Sequence, residues 1–257
     1  MLLEANMKNK KNSCLVWLCL ITVVCQNNGY AQVSADTRKG SRIKNFAKTV
    51  GGDILHVATS PLRLSKNDGL QLLALTAITT GFVSRGDSPV DEEFGIDVDD
   101  SYLLPARGLA RMGEVYDHIS PKRFSTALTI AMLTGGLALK DKKLLETTRL
   151  MFESLLITQF ITSWSKDLFG RSRPYTGKGP HDFKLFASNG AQGLRSMPSG
   201  HTSSAFAMMT VIAKRYNRWW VKIPAYTFAV SVACQRMNTR SHWASDVIVG
   251  AGIGYWV

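Results

Sequence analysis

The sequence predicts an all-α protein, a single-domain bundle of about six main helices packed around one apolar core. Three observations carry that prediction. Long uncharged apolar runs recur along the chain, separated by turns rich in Gly, Pro or clustered charge. Within and beside them, apolar residues repeat at helical spacing. No stretch of any length alternates apolar and polar residues as a half-buried strand does, and no internal repeat is present.

The first 31 residues are set aside from the fold. Lys8, Lys10 and Lys11 precede an uncharged run from Asn12 to Tyr30, whose apolar centre is Cys14 to Cys25, and Gly29-Tyr30-Ala31 supplies a small-x-small site. That is the pattern of a secretory signal peptide, which implies export to the bacterial periplasm or the periplasmic face of a membrane. An uncleaved anchor is the alternative, but the apolar centre is short for a span. Lipid attachment at Cys25 is opposed by Val24, where a small residue is needed. Residues 32–257 are therefore read as the folded domain.

Three of the four cysteines lie inside that leader, so Cys234 has no partner for an internal disulfide and reads as a small buried residue. The formal charge of the whole chain is +12, and removal of Lys8, Lys10, Lys11 and Glu4 leaves +10. Such a balance suits an anionic substrate or an anionic membrane surface. Nucleic acid is excluded as a partner class: zinc-finger spacing, aromatic RNA-binding signatures and basic heptad helices are all missing.

Along the domain, Ile43, Phe46, Val50, Ile54 and Val57 mark a first helical stretch that ends at Ser60-Pro61. His56 lies within it and is assigned a structural role. An uncharged helix is expected over 69–84. The acidic segment from Gly86 to Asp100 follows and reads as a solvated loop. Its Asp97-Val98-Asp99-Asp100 lacks the Gly and terminal Glu of a calcium loop. Pro105, Gly108 and Gly113 break up the helical pattern of 101–119, where His118 has no assigned role. A second uncharged helix spans 124–139, and a long one runs from Leu144 to Lys166. Further helices are expected after Ser199, over about 219–236, and from about 244 to 256. The two uncharged runs are shorter than the ~20 residues that cross hydrocarbon. They read as core helices, with peripheral membrane attachment left open.

Three blocks carry chemistry. In Lys166-Asp167-Leu168-Phe169-Gly170-Arg171-Ser172-Arg173-Pro174, a helix ends, Gly170 breaks it and Pro174 fixes the chain, which places Lys166 and Arg173 at one corner. Arg173 can fork onto an oxyanion while Lys166 acts as a point charge; a merely solvated basic corner is the alternative. In Met197-Pro198-Ser199-Gly200-His201, Ser199 is a good N-cap. Ser199, Gly200 and His201 therefore open a helix whose free N–H groups and dipole favour an anion. An ordinary capped helix with an incidental histidine would look the same. In the last block, Arg236 precedes His242 and Asp246. The latter two are four apart and share a helix face, so a carboxylate can hold one ring nitrogen and leave the other free to attack. An acidic residue that merely complements the helix dipole is the alternative there.

Taken together, in this order, the blocks resemble the three-part signature of the type 2 phosphatidic acid phosphatase superfamily, which also contains bacterial class A acid phosphatases and vanadium haloperoxidases. Six residues separate Lys166 from Arg173, five separate Arg236 from His242, and three separate His242 from Asp246. Residues 166–250 carry the likeness strongly, and the motif-bearing core is placed at 144–257. Gln235 departs from the usual Ser, and Arg240-Ser241 are less apolar than usual. The resemblance implies a metal-independent phosphatase acting on phosphomonoesters or pyrophosphates, lipid-linked or soluble. Lys166, Arg173, Ser199, Gly200 and Arg236 would bind the phosphoryl oxygens. His242, oriented by Asp246, would be the nucleophile that forms a phosphohistidine, and His201 would be the general acid and base. No cofactor is implied, except vanadate under the alternative of a haloperoxidase. A non-catalytic envelope module that binds anionic lipid is the third reading. Lys178, His181 and Lys184 are candidates for the border of the site.

Overall fold

A computed structural model describes residues 49, 51–53, 55–57, 59–95, 103–186 and 190–257. The leader at 1–31, its three cysteines and Asp97 to Asp100 lie outside the described residues. Contacts divide the chain into two compact units: Leu75–Tyr255, and the described residues up to Ala74 together with Trp256 and Val257. In the smaller unit, His56 is exposed and its carbonyl accepts from Arg63 Nη2 (2.8 Å).

Among the described residues the fold is all-α. Its helices are α1 (Lys66–Gly81), α2 (Asp87–Gly95), α3 (Leu104–Ile119), α4 (Pro121–Ala138), α5 (Lys142–Phe169), α6 (Gly200–Tyr216), α7 (Trp219–Asn238) and α8 (Ala244–Trp256). The unit boundary falls inside α1. Within the larger unit, α6 lies between α5 and α7, and α7 packs against α3. Tyr116, Met151, Ala205, Met208, Ala229 and Val232 form the centre of the core. Small residues on α6 and α7 let these helices approach closely, and Tyr116 sets its ring edge-on to Phe124 and Phe228.

Two expectations are corrected here. The acidic segment is not simply a solvated loop: Asp87–Gly95 is helix, and Asp87 is buried. Residues 104–119 are one unbroken helix, because Pro105 falls in the first turn, where its missing N–H has no intrahelical partner to lose. Gly113 is needed for a different reason. A side chain there would run into the Ser231 carbonyl, so the glycine sets how closely α3 lies on α7.

The long helix α5 starts at Asp141, whose carboxylate accepts from the amides of Lys143 (2.9 Å) and Leu144 (3.1 Å), an N-cap. It ends where Gly170 takes a left-handed conformation (φ +54°) and returns its N–H to Lys166 O. The Lys184 carbonyl lies against Gly170 and leaves no room for a side chain. The faces of α5 reverse the usual sorting. Thr147, Ser154, Thr158, Thr162 and Ser165 are buried, whereas Phe152, Leu156, Phe160 and Trp164 point outward. The uncharged run of α4 likewise exposes Ile130, Leu133 and Leu137, so it is not the enclosed core helix its composition suggests. Among the described residues, no helix is long and apolar enough to cross a membrane.

Candidate active site

Four segments bring the site together: the C-terminal end of α5 with the loop after it, the start of α6, the end of α7 and the start of α8. Ser199 is the N-cap residue of α6, in extended conformation, as its position after Pro198 predicts. Its hydroxyl does not cap the helix; it is buried and shares a hydrogen with Thr202 Oγ1 (2.9 Å). The Ser199 amide donates to Asp246 O (3.0 Å), which ties the start of α6 to α8. Ser203 N closes the first helical bond onto Ser199 O (3.0 Å), so the amides of Gly200, His201 and Thr202 sit in the turn where a helix provides no partner of its own.

Gly200 lies against the Lys166 stem: a Cβ on it would stand 3.7 Å from Lys166 Cε. Lys166 Nζ donates to Arg195 O (2.7 Å), and Arg173 Nη2 reaches the same carbonyl at 3.5 Å. Desolvation, with the charge of Arg173 next in weight, lowers the Lys166 ammonium to about 7. Arg173 and Arg236 are also lowered, chiefly by burial. The buried Nε atoms of both guanidinium groups have no protein acceptor. Three cations held this close, in a setting that penalises each, form a site that an anion would relax.

His242 is buried, and burial holds its imidazole well below the ordinary range. Its Nδ1 stands 3.7 Å from Asp246 Oδ2, an ion-pair distance rather than the hydrogen bond expected from the sequence. The reason is competition for that oxygen: Ser196 Oγ donates to it at 2.5 Å and Trp243 N at 2.9 Å. The Trp243 bond is the return arm of a capping arrangement at the start of α8, so Asp246 serves the helix terminus as well as facing the imidazole. Its other oxygen accepts from Arg171 Nη1 (2.6 Å). Although burial alone would raise it, Arg171 and the neighbouring donors hold the Asp246 carboxyl well below the usual carboxylate range.

Arg171 and Asp87 join the site only in three dimensions. Both are fully buried, with Arg171 Nη2 donating to Asp87 Oδ2 (2.6 Å). Asp87 also accepts from Ser245 N (2.9 Å) and Ser245 Oγ (2.6 Å). Pro180 O takes Arg171 Nε (3.0 Å), and the Phe183 ring lies 5.0 Å beneath the guanidinium. One buried arginine thus links α2, the loop after α5, and α8. Lys178, His181 and Lys184 are all exposed on this loop, and its contribution to the site is the grip on Arg171.

His201 faces Asp117 Oδ1 through Nε2 at 3.4 Å, and the same carboxylate oxygen takes Arg236 Nη1. Arg236 Nη2 donates to Ser241 Oγ (2.7 Å), which accounts for a polar residue just before His242. Arg240 pairs with Asp91 of α2 through both Nε and Nη2. Gln235 is buried beside Gly113. Burial, with Arg236 next in weight, lowers His201 to about 4. Asp117 was not among the residues singled out from the sequence. The available signal is its place in the last turn of an amphipathic helix, next to the unassigned His118, and nothing there points to a partner 84 positions away.

A helical bundle that gathers three cations and two imidazoles around one helix start presents, by its fold and site, the surroundings that favour an oxyanion. Residues 148–257 match the model of the PAP2 superfamily. The chain is similar to the lipid A 1-phosphatase of Porphyromonas gingivalis, with 38% identity over 71 residues, covering 24% of this chain and 16% of the relative. It is also similar to the lipid A 1-phosphatase of Rhizobium etli, with 28% identity over 109 residues, covering 41% of this chain and 45% of the relative. A third, from Rhizobium johnstonii, matches at 28% over 109 residues, covering 41% of this chain and 43% of the relative. The matches thus span less than half the length of these curated relatives. No solved structure matches the chain.

Proposed function

We propose that this protein is a phosphatase that removes a phosphoryl group from a lipid-linked phosphomonoester or pyrophosphate, without a metal or other cofactor. The observation that carries the reading is the enclosure of one helix start by Lys166, Arg173, Arg236, His201 and His242. The superfamily match and the names of the relatives support the phosphatase class and favour a lipid as the carrier of the phosphate.

Lys166, Arg173 and Arg236 bind the non-bridging oxygens and neutralise charge on the transferring group, with the Gly200 amide and Ser199 completing the cradle. An unprotonated nitrogen of His242 attacks phosphorus while the bond to the leaving oxygen breaks. The other nitrogen keeps its proton facing Asp246. His201, as imidazolium, delivers its proton to the leaving alkoxide. In the second half, His201 takes a proton from water, the resulting hydroxide attacks phosphorus, and the P–N bond breaks to return His242 and release phosphate. Bound substrate brings the negative charge that the two depressed imidazoles lack in the empty site, so His201 gains its proton as the phosphate arrives.

His242→Ala and His201→Ala are each expected to abolish phosphate release from a chromogenic phosphate ester while leaving the helical circular dichroism intact. Normal turnover in either variant would remove the assignment. A panel of lipid and soluble phosphates, assayed with and without detergent, decides the carrier.

A further inference from the structure

His201 leaves the first turn of α6 with its side chain still 34% exposed. The last torsion of a histidine is broad and roughly two-fold, so its rotamer alone does not fix the plane of the imidazole. A proton donor must nonetheless lie within hydrogen-bond reach of the leaving oxygen, and a misplacement of ~1 Å can cost about 10²-fold in rate. Two consecutive residues in the last turn of α3 supply the fixing contacts. Asp117 Oδ1 faces Nε2 at 3.4 Å. Tyr116 sets its ring edge to face with the imidazole, with centroids 6.3 Å apart and planes at 82°. Successive helical residues point about 100° apart, so the two meet His201 from different sides.

Tyr116 is itself held firmly. It is fully buried, and its ring lies 5.1 Å from Phe124 at 72° and 5.8 Å from Phe228 at 87°. Those two phenylalanine rings stack on each other at 5.3 Å. Phe124 comes from α4 and Phe228 from α7, so the ring is clamped where three helices meet, and Gly113 lets α3 approach α7 closely enough for this. The phenol hydroxyl has no hydrogen-bond partner among the described residues. Its meeting with His201 is therefore a contact of rings.

We propose that Tyr116 is a positioning residue for the reaction read above: its clamped ring fixes the plane of the His201 imidazole, so that the proton His201 gives up is aimed at the leaving oxygen. This role rests on the reading of His201 as the acid. Being fully buried, Tyr116 acts through His201 and not on the substrate. Its loss should therefore be felt only by substrates whose leaving oxygen needs a proton as it departs.

Release of the leaving group in a single turnover, with the full-length enzyme in excess, reads the first half of the reaction alone. Hexyl phosphate, whose alkoxide must be protonated, is compared with dinitrophenyl phosphate, whose phenolate departs without a proton. Tyr116→Leu should slow hexanol release at least about tenfold and leave dinitrophenolate release within about twofold of the unmodified protein, with circular dichroism intact. Tyr116→Phe, which keeps the ring, should retain the unmodified rates on both esters. His201→Ala separates this role from the reading beneath it. An equal loss on both esters in that variant would remove His201 as the acid. A loss selective for hexyl phosphate in His201→Ala, but absent from Tyr116→Leu, would overturn the positioning role alone. Equal losses on both esters in Tyr116→Leu, or a loss in Tyr116→Phe as large as in Tyr116→Leu, would overturn it too. If Tyr116→Leu does not fold, Phe124→Leu, at a half-buried position of the clamp, decides by the same comparison. A smaller loss confined to hexyl phosphate supports the role, and no loss or an equal one overturns it.

Discussion

Lys166 and Asp117 show what a single residue does in this site. A lysine is normally charged far above neutral pH, but Lys166 loses its proton near 7 because its head is desolvated and Arg173 crowds it. The charged form, which the proposed reaction needs for phosphate binding, is therefore present below about pH 7 and lost above it. kcat/KM for a phosphate ester should fall as pH rises from 6 to 9, and Lys166→Arg, whose charge does not titrate in this range, should move that decline to higher pH. An unshifted decline would assign it to another group. Asp117 joins Arg236 and His201 through one oxygen, so it both holds a cation of the proposed phosphate site and favours the imidazolium form of the proposed acid. Asp117→Asn keeps the shape and removes the charge. It should lower kcat about 10²-fold, the scale of one general-acid contribution, and make acidic pH more favourable for the residual activity. Unchanged kcat with an unchanged pH profile would show that Asp117 is only a surface partner of Arg236.

At the scale of elements, the site depends on how helices begin and end. Gly170 stops α5 so that Lys166 occupies its last turn and Arg173 the loop beyond, while Asp246 starts α8 and faces His242. These starts and stops follow local rules. The attachment of α2 does not, because it rests on Asp87 reaching Arg171 and Ser245. Removing one partner from a buried ion pair leaves the other charge uncompensated, so Asp87→Ala should destabilise the fold by roughly 3–5 kcal/mol in urea unfolding. Asp87→Asn, which retains the shape and part of the hydrogen bonding, should cost less. Because Arg171 also holds Asp246, both variants should lose activity before they unfold. A fully active and stable Asp87→Ala would show that Arg171 is held well enough by Asp246 and Pro180 alone.

At the scale of the whole molecule, packing decides the sorting of faces: α5 turns mainly hydroxyl residues inward and large apolar groups outward. Composition alone could not show which face of α5 was turned in. Its apolar and hydroxyl residues both recur at helical spacing, and only the neighbouring helices determine that Thr158 is enclosed and Phe160 exposed. The acidic segment shows the same gap between sequence and fold. Seven acids between positions 87 and 100 read as solvated, yet Asp87 is buried because a guanidinium from 84 residues away compensates it. What the sequence by itself determined was the helical class, the stop of α5 and the starts of α6 and α8, and the spacing of eight residues within three short blocks, since each depends on local geometry. What only the tertiary structure decided was the Asp87–Arg171–Asp246 linkage, the Asp117 bridge, and the outward turn of the apolar faces. Those depend on long-range pairing, where the stability of a buried charge or a solvent-facing aromatic is set by whatever the fold places against it.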